Sequence, residues 1–255
     1  MIRRAKEDIS TSLRRGHFYI GLTAFVKKFA DSIGKIATHT GSLDPLADGV
    51  VIVLTDDDRF RKEEESSVSK EYTFRVLGGF STDSHDVLGI ISKTLPVSVD
   101  IYNQIVVNLS HYSGTYLQKV PDFSARRING ESAFDFAKRG EKIEEKIEEV
   151  FILGQSVTGV TLVSEQHLLR DITDRISCVK GSFRQADIIK GWEEVLYKTD
   201  RQFPLVECSV VVSKRMYVRG LVRDLSEDIG VPLTTLSITR IKNGKYSIDD
   251  CTVFE

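Results

Sequence analysis

The stretch that most constrains this chain is residues 39–49, His-Thr-Gly-Ser-Leu-Asp-Pro-Leu-Ala-Asp-Gly, followed directly by Val50-Val51-Ile52-Val53-Leu54. The apolar run reads as a buried strand. Pro45 supplies no backbone donor and fixes its own φ, and it biases Asp44 toward extended geometry. Asp44 is therefore held on a stiff backbone beside a core strand. The same residue types also make ordinary turns, so physics alone leaves Asp44 either a connector or the acid of a site.

The rest of the chain reads as a globular domain with strands and helices mixed along its length. Tyr72, Phe74 and Val76 alternate with polar neighbours, as in a half-buried strand. Residues 23–32 carry Ala24, Phe25, Phe29 and Ala30 at helical spacing. Pro121, Asn129-Gly130 and Gly140 mark a loop, a hairpin and a helix end. Ile188, Ile189, Trp192, Val195 and Leu196 form an apolar helical stripe, read as core, with Trp192 in a packing role. Val210 to Val212 is a strand. A helix is expected to open at 213–221 and to end at Gly230, with Leu221, Leu225 and Ile229 recurring every four residues.

Composition narrows the function. No apolar run approaches the roughly 20 residues of a membrane span, and no signal-peptide block opens the chain. Cys178, Cys208 and Cys251 lack metal or disulfide spacing. A reducing, cytoplasmic setting without a structural metal is expected. The net charge of −2 is unlike a uniformly basic nucleic-acid binder. The charges are segregated, however: acids gather at 63–65 and 141–149, while basic residues gather at Arg3, Arg4, Arg14 and Arg15, at Arg126, Arg127, Lys138 and Arg139, and at Lys214, Arg215 and Arg219.

Residues 39–49 resemble the catalytic loop of TruB-type tRNA pseudouridine synthases, with Ser42 in place of the usual threonine. Lys70 and Tyr72, followed by residues 79–89 (Gly-Phe-Ser-Thr-Asp-Ser-His-Asp-Val-Leu-Gly), resemble the family's second motif. Pro121, Ser124-Ala125 and Asn129-Gly130 match its RNA-gripping arm, and Lys214, Tyr217 and Arg219 match its last motif. There the family's Gly-Thr is replaced by Arg215-Met216, which puts bulk beside the pocket. The family's Lys-Pro-x-Gly-x-Thr-Ser opening is reduced here to Ile20-Gly21-Leu22-Thr23.

The resemblance implies an α+β pseudouridine synthase fold, with a central mixed, mostly antiparallel sheet flanked by helices and a flexible arm. Asp44, Tyr72 and Arg219 are its implied catalytic residues, with Arg219 pairing Asp44 and Tyr72 lying on the base. His39, Lys70, Arg126, Arg127, Tyr217, Ile238 and Arg240 are its implied substrate-binding residues. The partner is the T-loop and T-stem of tRNA, the protein is expected to be a monomer, and the isomerisation calls for no cofactor. One catalytic domain over 1–255 is expected, with an insertion at 154–203 and without the family's C-terminal RNA-binding (PUA) domain. The rival readings are a non-catalytic tRNA-folding chaperone, a synthase for other structured RNA, a guide-RNA-dependent synthase and a hydrolase using Asp44. No second carboxylate convincingly pairs with Asp44 for the last of these.

Overall fold

The structure is a computed structural model that describes residues 10–15, 22–197 and 201–254. Arg3, Arg4 and the segment 16–21, with His17 and Phe18-Tyr19-Ile20, lie outside the described residues. The first half of the chain forms strands β1 (Ser10–Arg15), β2 (Ala37–His39), β3 (Ala47–Thr55), β4 (Lys70–Gly78), β5 (Phe80–Thr82), β6 (Ile91–Thr94) and β7 (Gly114–Lys119). The second half adds β8 (Arg127–Ile128), β9 (Glu131–Ser132), β10 (Ile147–Ser164), β11 (Gln202–Val212), β12 (Leu233–Asn243), β13 (Tyr246–Ser247) and β14 (Thr252–Phe254). The helices are α1 (Leu22–Ile33), α2 (Lys62–Ser66), α3 (Ile101–Leu109), α4 (Ala133–Lys138), α5 (Glu165–Cys178), α6 (Gln185–Val195) and α7 (Val218–Ile229).

One sheet dominates, in the order β14-β1-β3-β12-β4-β11-β10-β7, with β2 added on β3 and β13 on β12. The pairs β1–β14 and β3–β12 are parallel. The remaining pairs are antiparallel. The sheet is therefore mixed and mostly antiparallel, as expected. Val50 to Leu54 are at most 1% exposed, because β3 lies inside the sheet between β1 and β12.

Alternation along β4 buries Tyr72, Phe74 and Val76. They join Val51, Val53, Val206 and Val210 in a core covered by Phe25 of α1, Ile105 of α3 and Leu221 of α7. A side chain fully buried in this way contributes about 1.5–3 kcal/mol, so α7 is held chiefly by Leu221, Val222 and Leu225, all fully buried. A second cluster packs Leu77, Leu205 and Leu236 against Leu168 and Ile172 of α5 and Ile188 and Trp192 of α6. Trp192 is a packing residue, as expected, and its indole donates to the Val87 carbonyl at 3.1 Å. Residues 154–164 are the second half of β10 in the central sheet, and α5 and α6 follow it.

Two local expectations change, in α1 and α7, and the Asn129-Gly130 hairpin stands as expected. In α1 the buried residues are Leu22, Phe25, Val26 and Ala30, while Ala24 faces outward. α7 starts at Val218, not at 213, because Arg215 has φ +70° and a left-handed residue cannot belong to a right-handed helix. Its end at Gly230, φ +73°, is as expected. Asn129 (φ +50°) and Gly130 (φ +92°) form the two-residue connection of the β8–β9 hairpin, since a turn of this kind needs positive φ at both positions. Among the described residues no helix is long and apolar enough to cross a membrane.

Candidate active site

Pro45 and Leu46 form a tight turn closed by the Ala47 amide on the Asp44 carbonyl at 3.0 Å. The turn feeds directly into β3, whose parallel pairing puts Ala47 beside Ile238 and Gly49 beside Arg240. At Gly49, φ is +106°, and a Cβ would lie 2.2 Å from the Arg240 carbonyl oxygen. Only glycine fits there. Arg240, 1% exposed, sends its guanidinium back to the carbonyls of Val50 (2.7 Å), Ser42 (3.2 Å) and Gly41 (3.4 Å). The backbone of the Asp44 loop is thus clamped from β12.

The Asp44 side chain is met by Arg219, from the first turn of α7. Nε donates to Oδ2 at 2.8 Å and Nη2 to Oδ1 at 2.7 Å, a two-point grip that fixes both carboxylate oxygens. The guanidinium also donates to the Ser84 carbonyl at 2.9 Å and the Phe123 carbonyl at 2.8 Å, which ties the loop after β5 and the base of the arm to the same group. A second carboxylate, Asp86, lies 3.5 Å from Nε. Asp86 accepts from the Ser84 hydroxyl at 2.6 Å and from the Leu88 amide at 3.0 Å.

Arg219 is 2% exposed. Burial works against its charge, but the Asp44 and Asp86 carboxylates outweigh burial and raise its pKa above the ordinary arginine value. Burial raises the Asp86 pKa, with Arg219 opposing. One cation thus serves two carboxylates, and only the Asp44 side chain, 23% exposed against 6% for Asp86, has appreciable access to solvent.

Asp44 opens into a cavity of about 710 Å³ whose floor includes Tyr72, Ile238 and Arg240. Tyr72 lies directly across from Arg240 and Phe74 from Ile238 in the β4–β12 register. Cross-strand partners share a sheet face, so the tyrosine and the isoleucine line one side. Tyr217 sits on the wall, its amide and carbonyl held by the buried Gln118 side chain at 2.8 and 3.0 Å. Burial, then the Asp44 carboxylate, raises its phenol pKa. Lys70 is nearly buried and donates to the Ser66 and Val68 carbonyls at 3.0 and 2.8 Å. Burial, with Arg240 and Lys214 nearby, lowers its pKa to about 8.

Arg59, Lys62, Lys214 and Arg215 also line the cavity, and among the described residues Glu63 is the one acid of the lining besides Asp44. The lining of this cavity is therefore predominantly basic although the net charge of the chain is −2.

Asp44, Lys70, Tyr72, Tyr217, Arg219, Ile238 and Arg240 are thus brought together, although Arg219 meets Asp44 from behind the cavity. His39 is not part of this group. It lines a second cavity of about 490 Å³ with Thr23, Lys27 and Lys35. Burial, then Lys62 and Arg240, lowers its pKa to about 4. Arg126 and Arg127 lie on the exposed arm, donating to the carbonyls of Glu144 (3.0 Å) and Gly130 (2.7 Å). Arg215 and Met216 both line the cavity, as expected of bulk beside the pocket, with Arg215 reaching Glu148 at 3.5 Å and Met216 packing into the core. Sequence reasoning gave no role to Asp86 or Gln118. Asp86 stands in a recognised motif, whereas a lone glutamine in an alternating strand carries no signal. Among the described residues no group of three His, Cys, Asp or Glu side chains is placed to hold a metal.

Comparisons with known proteins bear on the family and the fold. The model of the TruB family pseudouridylate synthase (N terminal domain) matches residues 29–183, a span that contains Asp44 and Tyr72 and ends before Arg219. The tRNA pseudouridine synthase B of Bacteroides thetaiotaomicron is 29% identical over 215 residues, covering 84% of this chain and 73% of that protein. That of Treponema denticola is 30% identical over 240 residues, 92% of this chain and 60% of that one. Among solved structures, a Cbf5–Nop10–Gar1 complex aligns over 96% of this chain with a TM-score of 0.58 at 13% identity. An archaeal box H/ACA sRNP Nop10–Cbf5 complex aligns with a TM-score of 0.53, also at 13% identity. This chain spans about half the length of those two chains, 52% and 50%, and the likeness at that identity concerns the fold. With a family match over more than half of its length and an acid loop built as described, the chain belongs to the TruB family of pseudouridylate synthases.

Proposed function

We propose that this protein converts a uridine in the T-loop of tRNA to pseudouridine, with the whole chain acting as one catalytic domain that carries the 154–203 region as an elaboration. The observation that carries the reading is the two-point grip of Arg219 on Asp44 at the edge of a cavity floored by Tyr72 and Ile238. Isomerisation breaks the bond from N1 to C1′, turns the base in place and forms a bond from C5 to C1′. One proton leaves C5 and one ends on N1, so no net redox change or group transfer occurs.

Asp44 acts ionised, as the nucleophile at C1′ or as the base of a glycal route, and an adjacent guanidinium favours that form. Tyr72 stacks on the base and assists removal of the C5 proton. Ile238, on the same side of the cavity as Tyr72, packs on the base beside it. The uridine has to leave its stack to reach Asp44, which costs a few kcal/mol. Phosphate contacts from Arg126, Arg127 and the basic mouth offset that cost, and His39 supports the displaced RNA from the neighbouring cavity.

The test is pseudouridine mapping by mass spectrometry of total RNA with and without the protein, together with the Asp44→Asn variant. The variant should bind RNA and form no product. Normal product from Asp44→Asn would overturn the assignment, and RNA folding that persists in this variant would favour the chaperone reading.

A further inference from the structure

The rim of the Asp44 cavity carries an aromatic ring that the isomerisation does not use. Phe60 belongs to the 3-10 turn Asp56–Arg61 between β3 and α2, and it lines the cavity. At 83% exposure it is the most exposed large apolar side chain among the described residues. No residue of the turn is buried, so the ring does not anchor the turn to a core. Single exposed apolar residues are common on protein surfaces. What sets Phe60 apart is the charge around it.

The Arg59 guanidinium lies 5.9 Å from the ring centroid and donates to the Asp56 carbonyl at 2.7 Å. Lys62 donates to the Thr38 hydroxyl at 3.3 Å, and Lys214, reaching over from the segment before α7, donates to the Ser67 hydroxyl at 3.0 Å. All three cations line the same cavity, and among the described residues none of them forms an ion pair. Their neighbours do: Arg61 pairs with Glu64 and Glu65, and Lys35 pairs with Asp56. The acids of this segment are thus in part engaged by cations other than these three. A ring with one cation at its face and two more lining the same cavity, all three bonded only to neutral oxygens, suits an unpaired nucleotide, whose base offers a π face and whose backbone offers phosphates.

We propose that Phe60 is a stacking platform for a base that flanks the flipped uridine, with Arg59, Lys62 and Lys214 on the adjoining phosphates. The platform selects RNA in which that neighbour is unpaired and free to lie on the ring. The inference rests on the uridine-isomerising reading, and it adds a specificity-determining residue to that site.

The test compares Phe60→Ala and Phe60→Trp with the unchanged protein on a T-stem-loop RNA. Phe60→Ala should raise KM on the order of tenfold, the scale of one lost base stack, with kcat within about twofold. Phe60→Trp should restore KM. The chain's one tryptophan, Trp192, is fully buried, so quenching of the new indole by RNA reports from position 60. RNAs with an abasic site at each flanking position in turn identify the stacked base. At that position, and at no other, the difference between Phe60→Ala and the unchanged protein should vanish.

Unchanged KM in Phe60→Ala, or a penalty that survives every abasic substitution, would overturn the platform. Absence of pseudouridine from the unchanged protein's products would instead overturn the enzymatic reading, and the indole signal would still report whether a base sits on the ring.

Discussion

Replacing Arg219 by lysine keeps the positive charge and removes the fork. The guanidinium makes four hydrogen bonds within 2.7–2.9 Å, two to Asp44 and one each to the Ser84 and Phe123 carbonyls. It does so while almost entirely buried. An ammonium offers three donors from one point, so it cannot grip both Asp44 oxygens and reach both carbonyls. One lost charge-assisted bond costs about 1.5–3 kcal/mol, and one orphaned buried carbonyl costs about 1–3 kcal/mol. Partial relaxation leaves a net loss of about 3–5 kcal/mol, the scale for breaking a buried ion pair.

The stability loss should appear in urea unfolding as a lower midpoint at unchanged slope. Single-turnover pseudouridine formation should fall by about 100-fold, because a misplaced reacting group loses orientation, while RNA affinity stays within a few-fold. Arg219→Met should be worse in both assays, since Asp44 and Asp86 then face each other without a cation. An Arg219→Lys protein within about 0.5 kcal/mol of the original, with full rate, would refute the view that the fork organises the site.

Three further outcomes follow from single residues. Gly49→Ala puts a Cβ 2.2 Å from the Arg240 carbonyl at φ +106°, and should cost about 3 kcal/mol or more by thermal unfolding; a loss under about 1 kcal/mol would mean that β3 and β12 part easily. Arg215 holds φ +70°, so Arg215→Val should lose about 1–2 kcal/mol, whereas Arg215→Gly should be neutral or gain up to about 1 kcal/mol; equal losses would assign the effect to the Glu148 contact instead. His85 has its pKa lowered to about 3 by burial, with Arg223 and Arg219 nearby. Between about pH 3 and 6.5 the unfolded chain therefore binds a proton that the folded chain refuses, and stability falls as pH falls. His85→Asn removes that contribution, so from pH 7 to pH 5 it should lose about 1–2 kcal/mol less than the original in urea titrations; parallel losses would place the acid sensitivity elsewhere, His39 first.

Local features were legible because local chemistry decides them. Pro45 and Gly49 bracket the Asp44 turn, five apolar residues make β3, alternation marks β4, and Asn129-Gly130 makes a hairpin wherever it stands between strands. The composition pointed to a globular domain, and the motifs pointed to the family, including the pairing of Arg219 with Asp44. Spacing along the chain could not have supplied that pairing, because 175 positions separate the two residues.

The tertiary structure alone decided that Asp86 and the carbonyls of Ser84 and Phe123 share the same guanidinium. It turned Arg240 inward as a loop clamp and placed His39 in a neighbouring cavity. It also held Arg215 in a left-handed conformation that delays α7 to Val218. The physical reason is the same in each case. Periodicity tells which face of a strand or helix is apolar, but which polar groups meet behind that face depends on strand order and register. Those are settled only when distant segments close on one sheet and every buried charge has to find a partner at once.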